Sequence, residues 1–544
     1  MMNAAMPSTM MPYALTIDHM VERARRLFAH ERIVSRRPDK TLLHTSYAVV
    51  LDRAQCLARA CLAGGLRPGD RVATLMWNHQ HHLEAYLGLP LGGLVMHTLN
   101  LRLFPDDVAY TASHAEDRWL LVDDILLPVY ERFKALWPFE KVFVVPFGEP
   151  GKRHGEYGCY EALLQTAVGS IPLPTKKEED ALGLCYTSGT TGRPKGVVYS
   201  HRSTMLHALA MALPDYGHLE RGAAVTPVVP MFHANAWGLP YSATLMGCRQ
   251  VFPGPHLDAA SLLDLFEAEQ VTMAAGVPTI WMALLQALNA AQGQRWALPA
   301  MRLLVGGSAA PEGLIRGLDR HNLHIHHLWG MTETSPMATA AALSPQEREL
   351  PLDDQYKRRA RQGIPAPFVE LRLMDDSGKE SPWDDQAMGE IQVRGPWITG
   401  SYLHEGASPD KFTADGWLRT GDIASCDAQG SIRITDRTKD LIKSGGEWIS
   451  SVALENLIMG HPAVAEAAVI AMSHPKWDER PLAIVVLKPG QSLGTEELLA
   501  FMRPHVASWW LPDEVILADE IPRTSTGKFN KVALRERYAT RKTP

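Results

Sequence analysis

The chain has 544 residues, 46% hydrophobic and 21% charged, and its 54 Lys and Arg against 60 Asp and Glu leave a net charge of −6. That length exceeds one ordinary core and predicts two or more domains, in the composition range of a soluble globular protein, while the mild acidity excludes nucleic acid as a bulk partner. The 6 cysteines are scattered and form no C-x-x-C, which excludes a zinc or disulfide framework and predicts a reducing, cytoplasmic setting.

In chain order, the Met-rich start MMNAAMPSTMMPYALTIDHM has no basic region and no apolar run, and Pro7, Pro12 and Asp18 interrupt it. No signal peptide and no transmembrane segment are expected. Gly69-Asp70 reads as a turn before the apolar strand Val72 to Met76. Asn78 is a plausible N-cap for a helix after it. Further strands are predicted at Gly92–Asn100, Leu120–Asp123 and Val142–Val145. Strands alternating with helices argue for parallel α/β layers. Residues 146–180 are polar with Gly and Pro and read as a surface connection. The run 345–362, PQERELPLDDQYKRRARQ, is highly charged and reads as a solvated helix or excursion. The character changes near 436, and the runs Val464–Met472 and Leu482–Leu487 beyond it predict a small second domain. The boundary falls at Asp436–Lys439, giving 1–436 and 437–544.

The densest stretch is Tyr186–Gly196, YTSGTTGRPKG, after the apolar strand Ala181–Tyr186. Its small and hydroxylated residues, Thr187, Ser188, Gly189, Thr190, Thr191 and Gly192, suit an anion. Glycine lets backbone amides approach closely, hydroxyls donate, and Lys195 adds a point charge. The spacing fails G-x-x-x-x-G-K-[ST], so this is not a P-loop NTPase. A plain Gly/Ser/Thr linker is the competing reading.

Other clusters follow. Pro230–Gly238 reads PMFHANAWG, a core aromatic cluster or a pocket wall, which are compatible. Leu303–Pro311, LLVGGSAAP, is a strand and a small-residue turn that breaks the G-x-S-x-G elbow at Ala310. His321–His327 puts His324 and His326 on one strand face, with no nearby acid in register to complete a metal site. Trp329–Pro336 reads WGMTETSP. Asp415–Asp422 reads DGWLRTGD, either a β-turn aspartate or a ribose ligand. Ile434–Glu447 reads ITDRTKDLIKSGGE, and Pro522–Lys528 reads PRTSTGK, a loop presenting a lysine.

Taken together and in this order, these stretches resemble the adenylate-forming superfamily of acyl-CoA synthetases, luciferases and peptide synthetase adenylation domains. FHANAWG looks most like the fatty acyl-CoA synthetases. The resemblance implies an α/β fold: a large multi-layer N-terminal domain and a small mobile α+β C-terminal domain. It implies that ATP is cradled by Thr187 to Gly192 and Lys195, with adenine against Gly307, Ser308 and Ala309. Trp329 would stack on the base beside Gly330. Thr332 would bond the α-phosphate, and Glu333, with Thr187, would hold Mg²⁺. Asp422 would take the ribose and Arg437 the nucleotide. His233, Trp237 and Gly238 would bind substrate, Trp237 as a gate to an acyl tunnel. Lys439 would be the hinge, with Lys443, Gly445 and Gly446 on the coenzyme A side, and Lys528 the mobile catalytic lysine. The sequence departs from many fatty acyl members at His327-Leu328, where they have Gln-Gly.

The implied activity is ATP-dependent acyl-CoA synthesis through an acyl adenylate, releasing pyrophosphate and then AMP. The expected partners are a carboxylic acid, medium- or long-chain fatty by the motif, with ATP, Mg²⁺ and coenzyme A, and the resemblance to fatty acyl enzymes implies a homodimer. A smaller aryl, thioether or short-chain acid, a luciferase-type oxygenase, and a non-catalytic binding protein are the alternatives.

Overall fold

The computed structural model describes residues 6–538 except 7, 153, 168–170, 188–192, 292–294, 438, 445–446 and 524–528. Its larger part is built on two extended sheets. One has the order Gly158–Cys159, Lys141–Val145, Trp119–Asp123, Arg71–Leu75, Val95–Thr98, Ala181–Tyr186, Gly196–Ser200. Its strands pair in parallel until the last two, which are antiparallel and flank the hydroxyl-rich loop. The other carries a parallel centre in which Leu323–Gly330, Met301–Val305, Met273–Gly276, Ala224–Pro227, Arg249–Phe252 and Arg32–Arg36 are neighbours. Strands buried on both faces run as continuous apolar stretches, as Ala181–Tyr186 does.

Parallel strands deliver their following loops to one edge of a sheet, where α/β folds place their ligands. The aromatic stretch follows Ala224–Pro227, the small-residue turn follows Met301–Val305, and the WGMTE stretch runs from the end of Leu323–Gly330 into the loop after it. A four-stranded antiparallel sheet, Glu370–Met374, Met388–Arg394, Leu418–Cys426 and Ile432–Arg437, follows. One buried cluster joins helix Ile17–Leu27 to residues of both large sheets and of this smaller one.

The smaller C-terminal domain has its own sheet, containing Ile442–Ser444, Glu447–Ile449, Val464–His474, Asp478–Leu487 and Glu514–Leu517. Alternation along Val464–His474 sends Ala467 and Val469 to one apolar cluster and Ala468 and Ile470 to another, as the two-residue period of a strand requires. Among the described residues no helix is long and apolar enough to cross a membrane.

Two local expectations change and a third gains detail. The helix after strand Arg71–Leu75 is Gln80–Leu91, and its N-cap is His79. Asn78 is buried instead, donating to the Pro227 and Val229 carbonyls and accepting from Met231 N–H. It ties the two large sheets together, a use that a capping signal does not reveal. Residues 146–180 are more than a connection: they contain strand Gly158–Cys159 and helix Tyr160–Gln165. Tyr160 is fully buried and donates to Glu84 at 2.8 Å. Within 345–362 the solvated helix is Leu352–Arg359, anchored on the fold at a few points. Tyr356 is buried, Arg359 pairs with Asp319, and Asp353 pairs with Arg316 at 2.8 Å.

Candidate active site

Thr187 and Lys195 close the base of the hydroxyl-rich loop. Thr187 N–H donates to the Lys195 carbonyl and Lys195 N–H to the Thr187 hydroxyl, both at 3.0 Å. Ser188, Gly189, Thr190, Thr191 and Gly192 lie outside the described residues. The Lys195 ammonium reaches Glu405 at 2.6 Å and sits 4.9 Å from the centre of the Tyr402 ring.

The next strand leads to the WGMTE stretch. Tyr199 donates to the Thr332 carbonyl at 2.8 Å, so the loop's return strand holds the backbone beside Glu333. Thr332 and Glu333 are buried. The Glu333 carboxylate accepts from the Tyr402 phenol at 2.7 Å. Burial pushes its pKa up, and the phenol opposes that. Lys411 and Arg437 act on it through charge, yet neither forms an ion pair with it among the described residues. Gly330 stands where a Cβ would fall 1.4 Å from the Pro336 carbonyl oxygen, so no side chain fits.

Residues from separate stretches converge on Asp422. The Trp329 indole N–H donates to it at 2.9 Å, and the Arg437 guanidinium lies 3.5 Å from its other oxygen. Asp422 and Arg437 are also cross-strand partners. A carboxylate held between an indole edge and an arginine is a ready acceptor for a diol. Gly307 and Ser308 are exposed and Ala309 half-buried at the end of strand Met301–Val305, leaving open backbone there.

The FHANAWG stretch has an unusual backbone. Ala234, Asn235, Ala236, Trp237 and Gly238 have φ of 42, 53, 48, 58 and 72°, a left-handed turn. Each non-glycine residue there costs roughly 1–2 kcal/mol relative to right-handed helix. Packing offsets it: the Asn235 side-chain oxygen accepts from Tyr86 and from the Cys185 thiol, each at 3.3 Å. The turn aims the Trp237 indole at the small-residue stretch, with its edge 3.2 Å from where a Cβ on Gly306 would stand. Beneath the turn lies His207, 2% exposed, with burial pushing its pKa down to about 3. His233 is half-buried at the turn's entrance.

At the start of the C-terminal sheet, Ser450 donates to the Thr435 carbonyl. The Asp436 carboxylate takes the Ser451 N–H at 2.6 Å and hydroxyl at 2.5 Å. Lys531 bonds the Ser451 hydroxyl at 2.6 Å and Glu455 at 2.7 Å. Lys439 is exposed, and its carbonyl accepts from Arg535 at 3.1 Å. Lys443 is exposed, 4.5 Å from the Trp448 ring centre. Gly445, Gly446 and Lys528 lie outside the described residues.

The histidine run takes another form than expected. His324 has an acid beside it after all: Asp319, from the preceding helix, is 3.0 Å away. Asp319 in turn pairs with Arg359, and His326 contacts the Asp215 carbonyl at 2.8 Å. These are structural partners, and no group of three or more metal-type side chains occurs among the described residues. Sequence reasoning missed Tyr402, Glu405 and Gly306. A tyrosine or glutamate in a loop carries no spacing signal, and the adjacent Gly306-Gly307 pair was legible only as small.

The chain matches the family described as AMP-binding enzyme over residues 30–403, and the AMP-binding enzyme C-terminal domain over 453–528. It is 48% identical to a long-chain-fatty-acid–CoA ligase of Thermus thermophilus, covering 98% of this chain and 97% of that one. It is 42% identical to a medium-chain-fatty-acid–CoA ligase of Ectopseudomonas oleovorans, with 97% of each chain covered. A 3-methylmercaptopropionyl-CoA ligase of Ruegeria lacuscaerulensis is 40% identical, covering 97% of this chain and 98% of that one. Among solved structures, the fold is like that of the anthranilate CoA ligase AuaEII in complex with anthranoyl-AMP, with a TM-score of 0.85 at 24% identity over 98% of this chain and 99% of that one. ATP-bound MatB from Rhodopseudomonas palustris gives 0.80 at 25% identity over 97% and 99%.

Proposed function

The chain belongs to the AMP-binding enzyme family as an AMP-forming acid–CoA ligase working through an acyl adenylate, and from this premise we propose that its acid is a medium- or long-chain fatty acid. The observation that carries this is the 48% identity to a long-chain ligase over 98% of the chain. A panel of acids from short to long chain, with aryl and thioether acids added, tests it through AMP release with and without coenzyme A. The reading requires AMP release to peak on medium or long chains. A peak on thioether acids favours the second reading, which the 40% identity to the methylmercaptopropionyl ligase supports.

In the first half-reaction the substrate carboxylate attacks the α-phosphorus of ATP and pyrophosphate leaves. Attacker and target are both anionic, so positioning and charge neutralisation dominate. In our assignment Trp329 stacks on adenine against Gly307, Ser308 and Ala309, and Asp422 accepts the ribose hydroxyls, with Arg437 beside it. Thr187 to Gly192, Lys195, Thr332 and Lys528 hold the phosphates. The Trp329–Asp422–Arg437 convergence supports this. A buried Glu333 that forms no ion pair among the described residues fits Mg²⁺, which takes few protein carboxylates and completes its shell with phosphate oxygens and water. Glu333 and Thr187 would hold the ion, which would offset phosphate charge. In the second half-reaction the coenzyme A thiol attacks the adenylate carbonyl and AMP leaves, with no protein nucleophile. We assign 437–544 as the moving domain, Lys439 as its hinge, and Lys443, Gly445 and Gly446 to the coenzyme A side. A cytoplasmic homodimer completes the reading, and sedimentation at twice 60.1 kDa would test the dimer.

Trp237, with His233 and Gly238, is assigned to the acid. Trp237→Ala is expected to raise KM for the acid and change the chain-length profile while KM for ATP moves little. Trp237→Phe, which leaves a smaller void, should shift the profile in the same direction. An unchanged acid profile with an altered ATP KM would remove the gate assignment.

A further inference from the structure

A single turn, Tyr402–Gly406, touches two charged groups of the proposed nucleotide site, Glu333 and Lys195. Its end is closed by Glu405 N–H donating to the Tyr402 carbonyl at 3.2 Å. It is tied to the site on both flanks by backbone bonds. Thr399 N–H donates to the Glu333 carbonyl at 2.8 Å, and Leu403 N–H to the Gly196 carbonyl at 2.9 Å. From this frame the Tyr402 phenol reaches the Glu333 carboxylate at 2.7 Å, and the Glu405 carboxylate reaches the Lys195 ammonium at 2.6 Å.

The two contacts differ in kind. Tyr402 is 4% exposed and Glu333 6%, so their bond is sheltered from water and fixes the carboxylate. The Lys195 and Glu405 side chains are 32% and 35% exposed. An ion pair that open is weak, since water screens it and ordering two long side chains opposes it. A triphosphate brings more charge and more acceptors than one carboxylate, so it competes well for Lys195. The contact of Lys195 with the Tyr402 ring does not involve Glu405 and can persist through the exchange.

We propose that this turn is a charge placeholder for MgATP: Glu405 is the resident counter-ion of Lys195 that the phosphates displace, and Tyr402 is the positioning residue that fixes Glu333. The proposal rests on the assignment of Lys195 and Glu333 to the nucleotide site made above. The placeholder keeps Lys195 beside the loop before nucleotide arrives, at the cost of competing with it.

Calorimetric binding of MgATP without acid tests the first half. Glu405→Gln is expected to tighten Kd about 3- to 10-fold, because the phosphates no longer displace an anion. Asp410→Asn removes a negative charge whose field also reaches Lys195 but which makes no ion pair with it among the described residues, and should leave Kd within about twofold. Equal or weaker binding by Glu405→Gln, or equal tightening by Asp410→Asn, overturns the counter-ion role. For the second half, Mn²⁺ binding in the presence of a non-hydrolysable ATP analogue, read by electron paramagnetic resonance, should weaken about 10-fold in Tyr402→Phe. Thermal melting of that variant checks its fold. Unchanged Mn²⁺ affinity in a folded Tyr402→Phe overturns the positioning role. Wild-type acyl-CoA formation is the control: its absence would count against the proposed substrate reading, whereas these binding results judge the turn alone.

Discussion

Replacing Lys528 by alanine is expected to slow acyl-adenylate formation about 10²–10³-fold while barely slowing thioester formation from preformed adenylate. Losing one preorganised charge contact to the developing transition state is worth roughly 2.7–4 kcal/mol. The C-terminal family match ends on this residue. The described residues around it are well anchored. Arg523 bridges Phe529, Asn530 N–H donates to the Pro522 carbonyl at 2.7 Å, and Lys531 is bonded to Glu455 at 2.7 Å. Loss of the lysine charge should therefore leave the surrounding fold intact. Single-turnover assays of the two half-reactions decide the matter. Equal losses in both, or none, would remove the catalytic role.

Lys439→Pro is expected to separate the half-reactions in the opposite sense. Acid-dependent ATP–pyrophosphate exchange should survive within about tenfold, or about 1.4 kcal/mol, while thioester formation falls more than about 10²-fold. Asp440 and Leu441 N–H both donate to the Arg437 carbonyl, at 2.8 and 2.9 Å, so the chain turns tightly here. The bonds from Ser450 and Ser451 to Thr435 and Asp436 span the same point. The proposed rotation of the C-terminal domain would have to break or carry them, with the backbone near the proposed hinge Lys439 absorbing the change in φ and ψ. Proline fixes φ near −65° and removes an N–H. It should hold the adenylating orientation. Thioester formation at the wild-type rate in this variant would move the hinge elsewhere.

The large features were legible because they rest on patterns that a sequence states directly. The apolar strand Ala181–Tyr186, the parallel layers and the C-terminal pair Val464–His474 with Asp478–Leu487 follow from runs and alternation. What was not legible depends on tertiary partners. Asn78 has the chemistry of a cap, and three backbone groups across the sheet junction claim it instead. Residues 146–180 looked like a connection because polar residues flank a very short helix whose buried Tyr160 is the anchor. The left-handed turn at 234–238 contains glycine only at 238, so side-chain identity gave no sign of it. The site's motifs were visible through their resemblance to a family, while Tyr402 and Glu405 gain meaning only from what they touch.

If the proposed nucleotide site is right, the hydrogen bond from the Trp329 indole to Asp422 gives nucleotide binding an optical signature. An indole N–H donating to a carboxylate emits from a more polar setting than one released into a stack with a base. If ribose claims Asp422 and adenine covers the ring, the fluorescence of Trp329 must change on both counts. The chain holds 14 tryptophans, so the difference spectrum between the wild type and Trp329→Phe isolates that signal. Nucleotide occupancy then becomes readable in real time without a label.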